Sequence, residues 1–257
     1  MQASIQLPAI PELDYLLRLG DTCLISGQRL GEWCGHGPIL EEDIALANMA
    51  LDLIGQARAL LTLAGQKSGK GFDEDQLAFL RDEGAYRNPT LAELPRGDFA
   101  FTILRNLVLS TWLKLIWERL RDSSDEELAA IAGKALKEAR YHQQHAADWV
   151  VRLGDGTAES RRRCEAALAQ IAPYLPELFE DDATDAAARS NGLGPAWSSL
   201  HEPWLAEMRE VLHEAGLSLP GSTKFRSTGT SGRPRDHMGY LRAEMPSLQR
   251  AYPGGAG

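Results

Sequence analysis

Residues Asp43 to Arg58 read Asp-Ile-Ala-Leu-Ala-Asn-Met-Ala-Leu-Asp-Leu-Ile-Gly-Gln-Ala-Arg. Wound as a helix, the segment is apolar on almost every side, because Ile44, Leu46, Met49, Leu51, Leu53 and Ile54 point all the way round. A helix of this kind is expected to be buried, not half-solvated. Phe99 to Arg121 has the same character, with Phe101, Ile103, Leu104, Leu107, Val108, Trp112, Ile116 and Trp117 spread over its faces. Further long segments with helical periodicity must therefore cover these two.

The helical period recurs along the chain. Leu13 to Trp33 carries Leu13, Leu16, Leu17, Leu24 and Leu30, and Gly37-Pro38 turns it into a helix from about Ile39 to Gln66. A shorter helix fits Asp73 to Glu83, and Pro89 and Pro95 bracket a loop. Ser124-Asp125-Glu126-Glu127 sets a capping side chain and acids over the positive end of a helix dipole. That helix runs to Leu153, with Gly154 suited to its C-cap. Thr157 to Ile171 and Gly194 to Ala215 complete the set. Period-two β-branched runs of useful length are missing. The expected fold is all-α: a helical bundle with extra covering helices, formed as one domain by residues 1–257. From Pro220 to Arg235 the composition turns to Ser, Thr, Gly and basic residues, which reads as a flexible basic loop. A C-terminal segment, 236–257, follows it and is interrupted at Pro246.

Composition narrows the function classes. A net charge of −9 argues against nucleic acid as a partner. No unbroken apolar run approaches the ~20 residues of a membrane span. The N-terminus lacks the basic and apolar regions of a secretory signal. Cys23, Cys34 and Cys164 cannot all pair and form no Cys-x-x-Cys, so reduced thiols and a cytoplasmic location are expected.

Inside a bundle of long helices, the obvious chemistry is a carboxylate-bridged di-iron centre. Such a centre takes a Glu from each of two helices and a Glu-x-x-His from each of the other two. Of the six histidines, only His213 has a Glu, Glu210, three positions earlier, and it stands at a helix end without a second copy. In Lys137-Glu138-Ala139-Arg140-Tyr141-His142 an inserted Tyr sets Glu138 and His142 at i, i+4. The polar stripe of Phe99 to Arg121 is Thr102, Asn106, Ser110 and Lys114, with no central carboxylate. Asn48, Asp52 and Gln56, at i, i+4, i+8, form a polar stripe on the first apolar helix. Asn48, Asp52, Glu138 and His142 are thus expected to form a vestigial polar cluster in the core, with His142 or Arg140 as donor to Asp52. No catalytic residue and no metal ligand is assigned. Cys34 and His36 make a poor nucleophile pair, since residues two apart seldom face one another. No P-loop, Gly-x-Ser-x-Gly or dinucleotide fingerprint occurs.

Five stretches carry a resemblance: Leu17-Arg-Leu-Gly-Asp-Thr-Cys-Leu, Gln28-Arg-Leu-Gly-Glu-Trp-Cys-Gly-His-Gly-Pro, Ile44 to Arg58, Ala135-Leu-Lys-Glu-Ala-Arg-Tyr-His and His237-Met-Gly-Tyr-Leu-Arg-Ala-Glu-Met. Together they resemble the C subunits of bacterial ring 1,2-phenylacetyl-CoA epoxidases, ferritin-like proteins of aerobic phenylacetate degradation. Pro246 departs from the helix expected there. The resemblance implies a non-catalytic structural subunit without a cofactor of its own. It also implies three partners: a catalytic paralogous subunit with the di-iron centre, a small bridging subunit, and a reductase with FAD, an iron–sulfur cluster and NADPH. Alone, the chain is expected to form a homodimer. Two other readings stay open: a self-sufficient di-iron or di-manganese enzyme, separated by metal content, and an unrelated helical interaction protein, separated by the chains that co-purify. Lys224, Arg226, Arg233 and Arg235 lie close together in an acidic chain, and are read either as a solvated loop or as a contact to a partner or coenzyme A.

Overall fold

The computed structural model describes residues 5–221, 225–233, 237–239, 241 and 245. Nine α-helices are described: α1 Pro11–Gly31, α2 Leu40–Ser68, α3 Glu74–Phe79, α4 Thr90–Glu93, α5 Phe99–Leu120, α6 Glu126–Gly154, α7 Ala158–Ile171, α8 Ala183–Ser190 and α9 His201–Glu214. Short 3₁₀ turns stand at Glu83–Ala85, Ala172–Tyr174, Pro176–Phe179, Trp197–Leu200 and Gly229–Ser231. Among the described residues there is no strand.

Two antiparallel hairpins, α1–α2 and α5–α6, form the bundle, and α2 lies against α6 across it. The long crossover 69–98, which holds α3 and α4, links them, as ferritin-like bundles require. Helix α5 is the central member: Trp112, Ile116, Trp117 and Leu120 are fully buried. Helices α7 and α9 cover its outer sides, and α8 packs against α1.

The ends follow local chemistry. Pro11 opens α1, where its missing N–H costs nothing. Asp125 accepts from the backbone N–H of Glu127 and Leu128, and so starts α6 as expected. Gly69 closes α2 in the left-handed conformation at φ 63°. Gly154 is the last residue of α6, not its cap; a Cβ there would lie 2.3 Å from the Ala215 carbonyl oxygen, so glycine lets α9's end approach.

Three expectations need correction. The first concerns α2. By length and composition both α2 and α5 could cross a membrane; the α5 window is 89% buried, whereas that of α2 is only 44% buried. Helix α2 is thus half-solvated, with Leu40, Ile44 and Leu51 exposed. Periodicity records that a face is apolar, not which molecule covers it.

The second concerns Gly194 to Ala215, which begins as a 3₁₀ turn and becomes α-helical only at His201. The third concerns the basic loop. Its described part, 225–233, is docked: Gly229 N–H donates to Thr90 Oγ1 at 3.1 Å, and Thr230 N–H donates to Glu177 Oε1 at 2.9 Å. A Cβ at Gly229 would lie 2.6 Å from the Asn88 carbonyl oxygen, so only glycine permits the approach.

One buried ion pair fastens the crossover to the bundle. Arg81 and Asp21 both have fully buried side chains. Arg81 Nη1 donates to Asp21 Oδ2 at 3.0 Å, its Nη2 donates to Oδ1, and the Arg87 N–H adds a bond of 2.8 Å to Oδ2. Buried Arg18, one turn earlier, joins α1 to Asp182 and Asp185 at the start of α8. Burial pushes the Asp185 carboxyl up to about 6, against the pull of Arg18.

Candidate functional site

The four long helices surround the place where ferritin-like proteins hold paired metals. Here α1 contributes Cys23, α2 Met49 and Gln56, α5 Asn106, and α6 Glu138. Cys23 Sγ donates to Gln56 Oε1 at 3.5 Å, and Gln56 Nε2 donates to Glu138 Oε2 at 2.9 Å. Asn106 Nδ2 lies 3.6 Å from Met49 Sδ. Burial raises the Cys23 thiol far above the ordinary range, so it stays a neutral donor. This string satisfies its own polar groups across three helices.

The residues present do not fit a di-iron centre. About four carboxylates and two imidazoles would have to converge. The donors facing one another between the helices are instead a thiol, a thioether, two amides and one carboxylate. Among the described residues, no three of His, Cys, Asp and Glu come together as a metal site would require.

Asp52 and His142 meet on the seam between α2 and α6. His142 Nε2 lies 3.0 Å from Asp52 Oδ2; the imidazole is 2% exposed and the carboxylate 38%. Burial holds the His142 pKa below its ordinary value, although the Asp52 hydrogen bond and charge pull it up. Desolvation outweighs the pair, so near neutral pH the ring is uncharged and donates its Nε2–H to Asp52. Farther along the seam, His145 Nε2 lies 2.9 Å from Glu42 Oε2, while its buried Nδ1 has no hydrogen-bond partner among the described residues. Tyr141, 55% exposed, packs its ring against both imidazoles, with centroids 6.2 and 6.3 Å away.

The expected cluster is therefore split. Asp52 joins His142, and Glu138 joins Gln56, but Asn48 is exposed and takes no place in the core. The stripe on α2 runs obliquely from solvent at Asn48 to the interior at Gln56, because i, i+4 positions drift round a helix of 3.6 residues per turn. Arg140 turns outward to Glu118 at 3.1 Å and does not reach Asp52. With Asp52 partly solvated, truncating it does not carry the penalty of breaking a buried pair. The α5 stripe is interior, with Thr102, Asn106 and Ser110 buried and Lys114 paired with Glu207 of α9.

The basic residues separate too. Arg226 pairs with Glu180 of its own chain at 3.0 Å, and Arg233 is exposed. Lys224 and Arg235 lie outside the described residues. Glu210 and His213 are exposed near the end of α9. His36 Nδ1 meets the Cys34 carbonyl oxygen, not the thiol.

The His142 environment gives a pH dependence. An unfolded histidine titrates near ~6.5, and the folded one titrates lower. Below that pH the unfolded chain takes up the proton first, so stability falls as pH drops towards the folded pKa. Urea denaturation between pH 8 and pH 5 is expected to show a loss of stability that His142→Gln reduces. Parallel profiles for the two proteins would refute it.

Sequence reasoning missed two features. One is the Glu42–His145 pair, whose members stand 103 residues apart and share no local pattern. The other is the apolar face itself. Among the described residues, the exposed large hydrophobics other than Ile10 are Ile39, Leu40, Ile44, Leu51 and Ile54 on or beside α2 and Tyr141 on α6. Leu40 is 72% exposed and Leu51 65%. Exposed apolar side chains gathered on two adjacent helices mark an interaction surface.

Comparison with known proteins gives two findings. A family model described as phenylacetic acid catabolic protein matches residues 4–256. The C subunit of the 1,2-phenylacetyl-CoA epoxidase of Escherichia coli (strain K12) is 45% identical over 240 residues, covering 93% of this chain and 96% of that protein.

Proposed function

This chain belongs to the phenylacetic acid catabolic protein family, and on that premise we propose that it is the structural, non-catalytic subunit of a multicomponent di-iron oxygenase that epoxidises the ring of phenylacetyl-CoA. It works in the cytoplasm, in aerobic phenylacetate degradation. It binds and stabilises a catalytic paralogue, which holds the iron and the substrate. A small bridging subunit and a reductase with FAD, an iron–sulfur cluster and NADPH complete the assembly. The chain itself carries no cofactor.

The observation that carries this reading is the apolar α2–α6 face. A helix built to stand alone in water does not present Leu40, Ile44 and Leu51 to it. The face lies on the outer side of the same helix pair that supplies Gln56 and Glu138 to the interior. The role therefore divides by direction: inward, the pair packs a self-satisfied polar string; outward, it offers a surface to a second bundle. Ferritin-like chains pair through long helices, so the interface should exceed the ~1,600 Å² of a standard complex. Without the paralogue, the same face drives a homodimer. The test is reconstitution with the catalytic paralogue, followed by metal analysis of the separated chains.

A further inference from the structure

A groove of about 960 Å³ lies between α9, the turns after α7 and the segment 217–221, away from both the bundle centre and the α2–α6 face. Its floor is apolar and includes Leu175, Phe179, Trp204 and Leu212. Phe179 and Trp204 pack with ring centroids 5.2 Å apart, so the floor is rigid and aromatic. One rim is formed by α9, where His201, Leu205, Arg209 and His213 follow at i, i+4, i+8 and i+12 and wind obliquely along the groove. Arg209 and His213 carry nitrogen donors, while His201 Nδ1 already meets Glu202 Oε1 at 3.2 Å.

The charge pattern selects a ligand. The chain has 36 acidic residues, yet no described residue lining the groove is Asp or Glu. Arg209 is exposed and forms no ion pair among the described residues. An apolar trough with an unneutralised guanidinium on its rim suits a molecule that is apolar along its length and anionic at one point. An extended peptide would leave its backbone N–H and C=O groups unpaired against the apolar floor. An acyl or aryl-alkyl chain carries no such groups. We infer that this groove binds an elongated amphipathic carboxylate, its chain lying over Trp204 and its carboxylate on Arg209.

The experiment is titration of the full chain with decanoate, followed by the quenching of tryptophan fluorescence, with decan-1-ol as the uncharged control. Decanoate should saturate, bind more tightly than the alcohol, and weaken with added salt. Arg209→Gln should weaken decanoate by about fivefold or more and leave the alcohol unchanged. Leu205→Glu, which sets a carboxylate on the rim, should weaken decanoate further while circular dichroism shows an intact fold. Equal binding of acid and alcohol, or decanoate binding indifferent to Arg209→Gln, would overturn the inference. So would an absence of decanoate binding combined with loss of a partner subunit in Arg209→Gln, because the groove would then be a protein contact.

Discussion

Leu51→Glu is expected to weaken association with the catalytic paralogue by at least about 30-fold, the effect of losing one well-packed interface anchor. Leu51 is 65% exposed and sits within the apolar stretch of α2, between Ile44 and Ile54. In the complex, a carboxylate there would be buried without a partner. In the free chain it would point into water, so the fold should be untouched and helical content unchanged. The same substitution should turn the homodimer of the isolated chain into a monomer. Analytical ultracentrifugation of the chain, alone and mixed with the paralogue, reads both effects. Wild-type affinity in Leu51→Glu would remove the α2–α6 face from the account.

Asp21→Ala should have the largest effect on stability. Arg81 would be left fully buried with its charge uncompensated, and the Arg87 N–H would lose its acceptor. Removing one member of such a pair costs about 3–5 kcal/mol. In a chain of this size that corresponds to a fall in Tm of roughly 6–20 °C. The double replacement Asp21→Leu with Arg81→Met should recover part of the loss: an apolar pair avoids desolvating two charges, but the Arg87 N–H and the Leu77 and Ala85 carbonyls still lack partners. Urea denaturation of the three variants separates these outcomes. A loss below about 1 kcal/mol in Asp21→Ala would mean that water reaches the pair.

The long helices were legible because their apolar residues recur at the helical period and their ends carry punctuation, such as Gly37-Pro38 and Asp125. Helix α8 was not, since Ala-Thr-Asp-Ala-Ala-Ala-Arg-Ser has almost no large apolar side chain to show a face. Its capping box, Asp182 with Asp185, was the one local signal available. The pairing of Asp52 with His142 could be anticipated from two i, i+4 arrangements on helices expected to meet. The exposure of Asn48 could not, because it depends on how far α2 is rotated about its axis. Nor could the docking of Gly229 and Thr230 on Thr90 and Glu177, which joins backbone to side chains remote in sequence. The apolar face was misread as core for a related reason: a surface made for a partner has the composition of an interior.

The central claim is that this chain supports an oxygenase without holding its metal. Iron content per chain, measured on the chain purified alone, on the reconstituted pair, and on the two subunits after separation, tests it most directly. The account predicts iron with the pair and with the separated paralogue, and none in stoichiometric amount with this chain. It also predicts that Glu138→Gln and His142→Gln leave the iron of the pair unchanged. About two iron atoms retained by the isolated chain and lost in those variants would contradict it.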